Sequence, residues 1–266
     1  MLLVNDDGIN SLGLRLALDE LVRAGHTVYV AVPPHDMSGS GKCFSFNIGF
    51  ERVGLEGAEA AWIVTAPPAM IVYVALRALL PERPDVVFSG VNIGPNMGLE
   101  DFFTSGTVGA AIEASLQGVP SLAVSFASRK LDGRKWIGLT AGIGARLVGV
   151  ASKLGAGNTM IVNVPPAPGG VAITSLAYSW YDVDLRYEDG VLRPVVSEDR
   201  IYVSDPPPGT DIWAVRRGLV SITPISLRRI AETAAEQDSH VMEEAVRIVR
   251  ELLRGGDPSL GGAADT

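Results

Sequence analysis

Short apolar runs alternate with stretches of helical period through the first two-thirds of the chain. "MLLV" reads as a buried strand. "SLGLRLALDELVRAG" reads as a helix, with Ser11 as N-cap and Gly25 just past its end, where a hydroxyl and a positive φ are favoured. "TVYVAV" is the next strand, followed by a polar Gly/Ser loop from Pro33 to Asn47. "AAWIVT", "DVVFSG", "PSLAVSF" and "TMIVNV" read as further strands, the last stopped by Pro165 and Pro166. Between them "AMIVYVALRALL", "GTVGAAIEASLQG" and "KWIGLTAGIGARLVGVASKL" have helical spacing. Strands alternating with helices predict an α/β fold built on a doubly wound, mostly parallel, Rossmann-like sheet.

The pattern breaks at about Gly170. "YSWYDVDLRYEDGVLRPVV" alternates with period two around "EDG", which is hairpin turn chemistry. "SDPPPGTD" is a proline-rich connector, and "DIWAVRRG" and "LVSITPI" read as short strands. A last amphipathic helix is expected from about Ser239 to Arg254, ahead of a frayed tail. The expected organisation is an α/β core over residues 1–168, a β-rich hairpin appendage and C-terminal helix over 169–255, and a flexible tail over 256–266.

Composition narrows the classes. The 266 residues carry a formal charge of −8, which argues against binding a nucleic-acid polymer, since that calls for clustered Lys and Arg. A small phosphate ester is still open to an acidic chain if a divalent cation supplies positive charge locally. No apolar run reaches the roughly 18 residues of a membrane span, and no basic region precedes the first apolar run, so a cytoplasmic protein without a membrane partner is expected. One cysteine, Cys43, excludes an intrachain disulfide framework and reads as a packed thiol without a nearby histidine.

Ligands of open α/β sheets bind outside the carboxyl ends of the strands. Three unusual polar stretches stand there: "NDDG" after the first strand, "PPHDMSGSGK" after the second, and "SGVNIGPN" from the end of "DVVFSG". Together they place Asp6, Asp7, Ser38, Ser40, Asn92 and Asn96 where they can converge. Every one is an oxygen donor, a set that suits Mg²⁺, Mn²⁺ or Ca²⁺ better than zinc or copper. "NDDG" alone is also ordinary turn chemistry, with Gly8 allowing the chain to turn. Asn5, Gly8 and Gly39, within these stretches, are supporting residues. Ser105, Gly106 and Thr107 open a helix, where backbone N–H groups and the dipole favour an anion; simple N-capping is the competing reading. "GSGKC" is not a P-loop, because Asp36 replaces its first Gly and Cys43 its Ser or Thr. His35 lies in the second loop, where it could touch a substrate.

"LLVNDDGI", "AVPPHDMSGSG", "PDVVFSGVNIGPNMG" and "SGTVGAAIEASLQGVPSLAVS", in this order, resemble the SurE family of stationary-phase survival proteins, as do "NVPP" and "GLVSITPI" further on. The resemblance implies a divalent-metal-dependent phosphatase, a 5′/3′-nucleotidase acting on nucleoside 5′- and 3′-monophosphates. It puts metal ligands on Asp6, Asp7, Ser38 and Asn92, with Mg²⁺ or Mn²⁺ as the expected ion. Phosphate contacts fall near Asn96, Ser105, Gly106 and Thr107, and Asp6 and Asp7 become the candidate catalytic carboxylates. It also implies a homodimer or homotetramer with exchanged C-terminal elements. Thr104 stands where the family usually has Tyr. The competing function is a non-catalytic, metal-dependent nucleotide-sensing stress protein that uses the same site for binding only.

Overall fold

The computed structural model describes residues 1–128, 133–181, 184–195, 205–232, 243 and 246–250. The first apolar run forms β1 (Leu2–Val4), and its alternation divides two cores. Leu3 faces one, and Leu2 and Val4 face the other. Helix α1 (Leu12–Arg23) follows, capped by Ser11, whose hydroxyl accepts from the Leu14 N–H. The chain then builds β2 (Tyr29–Val32), β3 (Phe50–Val53), β4 (Ala60–Val64) and α2 (Pro68–Val74), which runs on as a π-helical turn over Ala75–Leu79. Next come β5 (Val87–Ile93), α3 (Gly98–Thr104), α4 (Gly106–Leu116), β6 (Ser121–Phe126), α5 (Arg134–Ala151) and β7 (Asn158–Val164).

Among the described residues these strands join a nine-stranded sheet in the order β3-β4-β2-β1-β5-β6-β7, continued by β11 (Leu219–Ser226) and β8 (Gly170–Ile173). The six strands from β4 to β7 are parallel, as the alternation predicts. β3 and β11 run antiparallel to their neighbours β4 and β7. α1 and α5 cover one face, packing Leu14, Leu18, Ile137 and Ala141 on Leu3, Phe88 and Val124. α2 and α4 cover the other, with Met70, Ile71, Ala110 and Ala114 on Val4, Val64 and Val87. The fold is therefore α/β with a mostly parallel sheet. The strand order reverses between β1 and β5: β2 and β4 lie to one side, β6 and β7 to the other. Such a switch point opens a crevice at the carboxyl ends of the strands.

The hairpin read around "EDG" forms as β9 (Asp184–Glu188) and β10 (Val191–Val195), an antiparallel pair separate from the main sheet. β8 and β11, also in the segment after residue 168, pair with each other and extend the main sheet instead. One compact unit spans Met1–Leu227 and a second Arg228–Thr266. Helix α7 covers Leu227–Glu232, and in the second unit residue 243 and residues 246–250 are helical. The rest of the expected C-terminal helix, His240 and the tail lie outside the described residues.

Two local readings are corrected. "DIWAVRRG" is not a strand but helix α6 (Asp211–Arg216), capped by the Thr210 hydroxyl accepting from the Trp213 N–H. A capping Thr, an acidic first turn and a basic last turn outweigh the short apolar run. Cys43 is exposed rather than packed. α3 and β3 also form where the sequence pattern gave no element. α3 starts as Gly98 leaves the polar loop with Glu100 and Asp101 in its first turn.

Candidate active site

At the end of β1 the chain must turn sharply, and Asn5 and Gly8 make the turn. The Asn5 amide donates to the Gly8 carbonyl at 3.0 Å, and the Gly8 N–H donates back to Asn5 Oδ1 at 3.2 Å. Gly8 has φ of +92°, a left-handed conformation that a side chain would strain. Asp6 and Asp7 are held between these braces.

Asp6 is buried, 3% exposed. Its Oδ1 accepts from the Thr107 hydroxyl at 2.6 Å, and its backbone carbonyl accepts from the Met37 N–H at 2.8 Å. Burial holds its carboxyl above the usual range, against the opposing pull of the Thr107 hydroxyl. Asp7 is pushed up to about 7, first by burial and then by the neighbouring Asp6 charge, while the Ser11 hydroxyl donating at 3.2 Å pulls it back. Among the described residues, no basic group acts on these two carboxylates to offset burial.

They open into a cavity of about 570 Å³ at the switch point. Ser38 and Gly39 from the loop after β2, Asn92 from the end of β5, Asn96, and Ser105 line it with them. Asn92 follows a register shift between Gly90 and Asn92, the kind of irregularity that re-aims a side chain at a sheet end. Its Nδ2 donates to the Gly94 carbonyl at 2.9 Å, leaving Oδ1 as its remaining acceptor. The Ser38 hydroxyl donates to Asp36 Oδ1 at 2.6 Å, which spends its proton and leaves oxygen lone pairs. Asn96 is buried and braced: its N–H donates to Asn163 Oδ1 at 2.9 Å and its Nδ2 to Ser125 Oγ at 2.8 Å.

Ser105 is the N-cap of α4, accepting from the Val108 N–H at 3.1 Å, and it also lines the cavity. Gly106 and Thr107 do not line it. They stand directly behind Asp6: a Cβ on Gly106 would come within 2.8 Å of Asp6 Oδ2 and 2.9 Å of Ser40 Oγ. Both approaches are closer than a real Cβ allows, so only glycine lets α4 lie this near the carboxylate. His35 is exposed and not part of the lining.

Sequence reasoning missed Asp36, Asp101 and Tyr181, which also line the cavity. Asp36 had a signal, since Asp two residues before Ser commonly bonds that residue's backbone, as its 2.7 Å bond from the Ser38 N–H does. Asp101 belongs to the unforeseen α3, and Tyr181 comes from the chain beyond the parallel core; neither had a local signal.

The donor set fits a hard divalent cation. Carboxylate, hydroxyl and amide oxygens line the cavity, and among the described residues no Lys, Arg or His lines it. Ser40 Oγ is buried beside Asp6 without a hydrogen-bond partner. No group of three or more His, Cys, Asp and Glu suited to a metal occurs among the described residues, so the set rests on carboxylates helped by neutral oxygens.

An open, mostly parallel sheet whose switch point carries an acidic cavity beside a helix N-terminus defines a ligand-binding protein of the doubly wound α/β class. Within that class the chain belongs to the SurE family: the family described as survival protein SurE matches residues 1–182. It is 37% identical over 241 residues to the 5′-nucleotidase SurE of Desulforudis audaxviator, covering 85% of this chain and 91% of that relative. It is 38% identical over 252 residues to the 5′-nucleotidase SurE of Methanoculleus marisnigri, covering 89% and 95%. The crystal structure of the SurE protein from Aquifex aeolicus is similar, with a TM-score of 0.69 and 30% identity over 91% of this chain and 96% of that one.

Proposed function

We propose that this chain hydrolyses nucleoside 5′-monophosphates, and 3′-monophosphates as well, to nucleoside and phosphate, with Mg²⁺ or Mn²⁺ held by Asp6, Asp7, Ser38 and Asn92. The observation that carries the reading is the convergence of Asp6, Asp7, Ser38 and Asn92 on one cavity beside the α4 N-terminus. The nucleotidase names of its relatives support the substrate class. When bound, the ion supplies Lewis acidity and offsets the charge that burial makes costly on Asp6 and Asp7. Ser105, the N-cap of α4, would hold the transferring phosphoryl group, with Asn96 on the lining of the same cavity. Asp6 or Asp7 would orient the attacking water and accept its proton, and the Thr107 hydroxyl donates to Asp6 Oδ1. The cavity is large enough for a nucleoside beyond the phosphate, with Tyr181 on its lining.

The chain is expected to work in the cytoplasm. No helix among the described residues is long and apolar enough to cross a membrane. It is expected to act as a homodimer or homotetramer with exchanged C-terminal elements, for which the exposed apolar side chains of the β9–β10 hairpin speak, Leu185, Tyr187 and Leu192 among them. The domain division at residue 168 belongs to the same reading, with residues 256–266 as a tail.

The test is phosphate release from 5′-AMP and 3′-AMP with Mg²⁺ or Mn²⁺, with and without excess chelator. Release that requires metal supports a nucleotidase. Tight binding of nucleotide and metal without release supports the sensing alternative, and full release in chelator overturns the metal reading.

A further inference from the structure

The loop after β2 carries Ser38 and Ser40 and is fastened at both ends. At its start the Met37 N–H donates to the Asp6 carbonyl at 2.8 Å. At its end the Gly41 N–H donates to the Thr104 carbonyl at 2.8 Å, just before α4 begins. One turn into α4 the loop lies against the helix backbone: a Cβ on Gly109 would come within 2.5 Å of the Gly41 carbonyl oxygen. One turn further on, Lys42 Nζ pairs with Glu113 Oε2 at 2.8 Å. Glu113 is buried, 6% exposed, and its other oxygen accepts from Gln117 Nε2 at 2.8 Å. Gln117 Oε1 in turn accepts from Arg77 at 2.8 Å, and Arg77 lies over the Tyr73 ring. A buried carboxylate inside a packed helix, anchored from α2's continuation, thus holds a lysine that belongs to the cavity loop. Neither residue lines the cavity.

We propose that the Lys42–Glu113 ion pair is a latch that seats the Ser38–Ser40 loop on α4 and thereby positions the loop's oxygens around the acidic cavity. The proposal rests on the metal reading above. Lys42 and Glu113 are positioning residues: they act on the cation site through the loop, not by touching the ion. The same helix holds Asp6 through Thr107, so the latch ties the two halves of the donor set to one rigid element. An ion pair that merely stabilised the fold would have no such effect on the site. With Lys42 alone removed the buried Glu113 charge is left unpaired and stability falls; with both replaced by neutral groups that cost largely disappears. Loss of positioning does not disappear in the double variant, and this separates the two roles.

Mn²⁺ is titrated calorimetrically, without nucleotide, into the full chain and into Lys42→Met, Glu113→Gln, the double variant and Lys42→Arg, with a melting temperature for each. The expected result is Mn²⁺ binding weakened about tenfold or more in both single variants and in the double, the range typical of groups that orient metal ligands. Melting temperature should recover toward the parent in the double variant, and Lys42→Arg should keep Mn²⁺ affinity within a fewfold of the parent. Unchanged Mn²⁺ affinity in a folded double variant overturns the latch alone. A parent chain that binds no Mn²⁺ overturns the metal reading and the latch with it.

Discussion

Thr107 is one residue inside α4, yet its hydroxyl turns onto Asp6 while Ser105 takes the capping role. The two positions therefore separate into predictions. Ser105→Ala removes a cap, which costs about 0.5–2 kcal/mol of stability, and should also slow turnover because Ser105 faces the cavity. Thr107→Ala should cost turnover more than stability, since it frees Asp6 Oδ1 without uncapping the helix; the expected loss is roughly a hundredfold, as for a displaced catalytic group. Measuring kcat and melting temperature together checks both, and a Thr107→Ala enzyme with parental kcat would return Thr107 to a purely structural role. Asp6→Asn or Asp7→Asn should abolish hydrolysis with the fold retained, read as phosphate release and circular dichroism. Asp7 also carries a pH signature. Its folded pKa of about 7 lies above the ordinary 3.8, so between those values the folded chain binds more protons than the unfolded one. In excess chelator, stability should therefore fall as pH rises from about 4 to about 7, with Asp6 adding in the same direction, and Asp7→Asn should flatten the slope. Melting scans across that range decide it; a slope unchanged in Asp7→Asn would remove Asp7 as its source.

Among the elements, α6 is the clearest case of a short helix placed by one buried side chain. Asp211 accepts from the Gly98 N–H at 2.7 Å, the Ala177 N–H at 2.9 Å and the Ile212 N–H at 2.8 Å, so it ties the start of α3, the strand-free segment after β8 and its own helix together. Burial pushes its carboxyl up while these three donors pull it down, and burial is the larger cause. Asp211→Ala would leave buried N–H groups without a partner, at about 1–3 kcal/mol for each group that finds no water. Urea unfolding should show that loss, with Asp211→Asn less affected because the amide oxygen still accepts. Equal stability of Asp211→Ala and the parent would show that water replaces the carboxylate at no cost.

For the whole molecule, the β9–β10 hairpin exposes Leu185, Tyr187 and Leu192, and an isolated two-stranded ribbon is marginal in water. Assembly through this ribbon is the expected remedy. Sedimentation at micromolar concentration should give a dimer or larger, and Leu185→Lys with Leu192→Lys should shift it toward monomer; a parent that sediments as a monomer refutes the assembly. Metal acts on the whole chain through mass action. At a hundredfold excess over Kd a ligand bound only to the folded state adds about 2.7 kcal/mol, so Mn²⁺ should raise the melting temperature and chelator should reverse it.

Helices and parallel strands were legible because their signals are local: which face is apolar, where a hydroxyl caps, where a glycine ends a helix. "MLLV", Ser11 and the stretch from Ser105 through Leu116 depend on neighbours within a turn or two, and the sequence alone determined them. It also determined that Asp6 and Asp7 would stand together, since they are adjacent in the chain. α6 was misread because its apolar residues are few, and caps rather than periodicity decided it. What the sequence could not contain locally was the order of the strands. The reversal between β1 and β5 brings Asp6, Ser38 and Asn92 into one crevice, and it is fixed by which apolar faces bury against which across the sheet. Tertiary structure likewise turned Thr107 onto Asp6 across 101 residues of sequence, and brought Asp36, Asp101 and Tyr181 to the cavity wall. Side-chain patterning follows the backbone's own period, whereas convergence follows long-range packing, and the candidate site is built from the second.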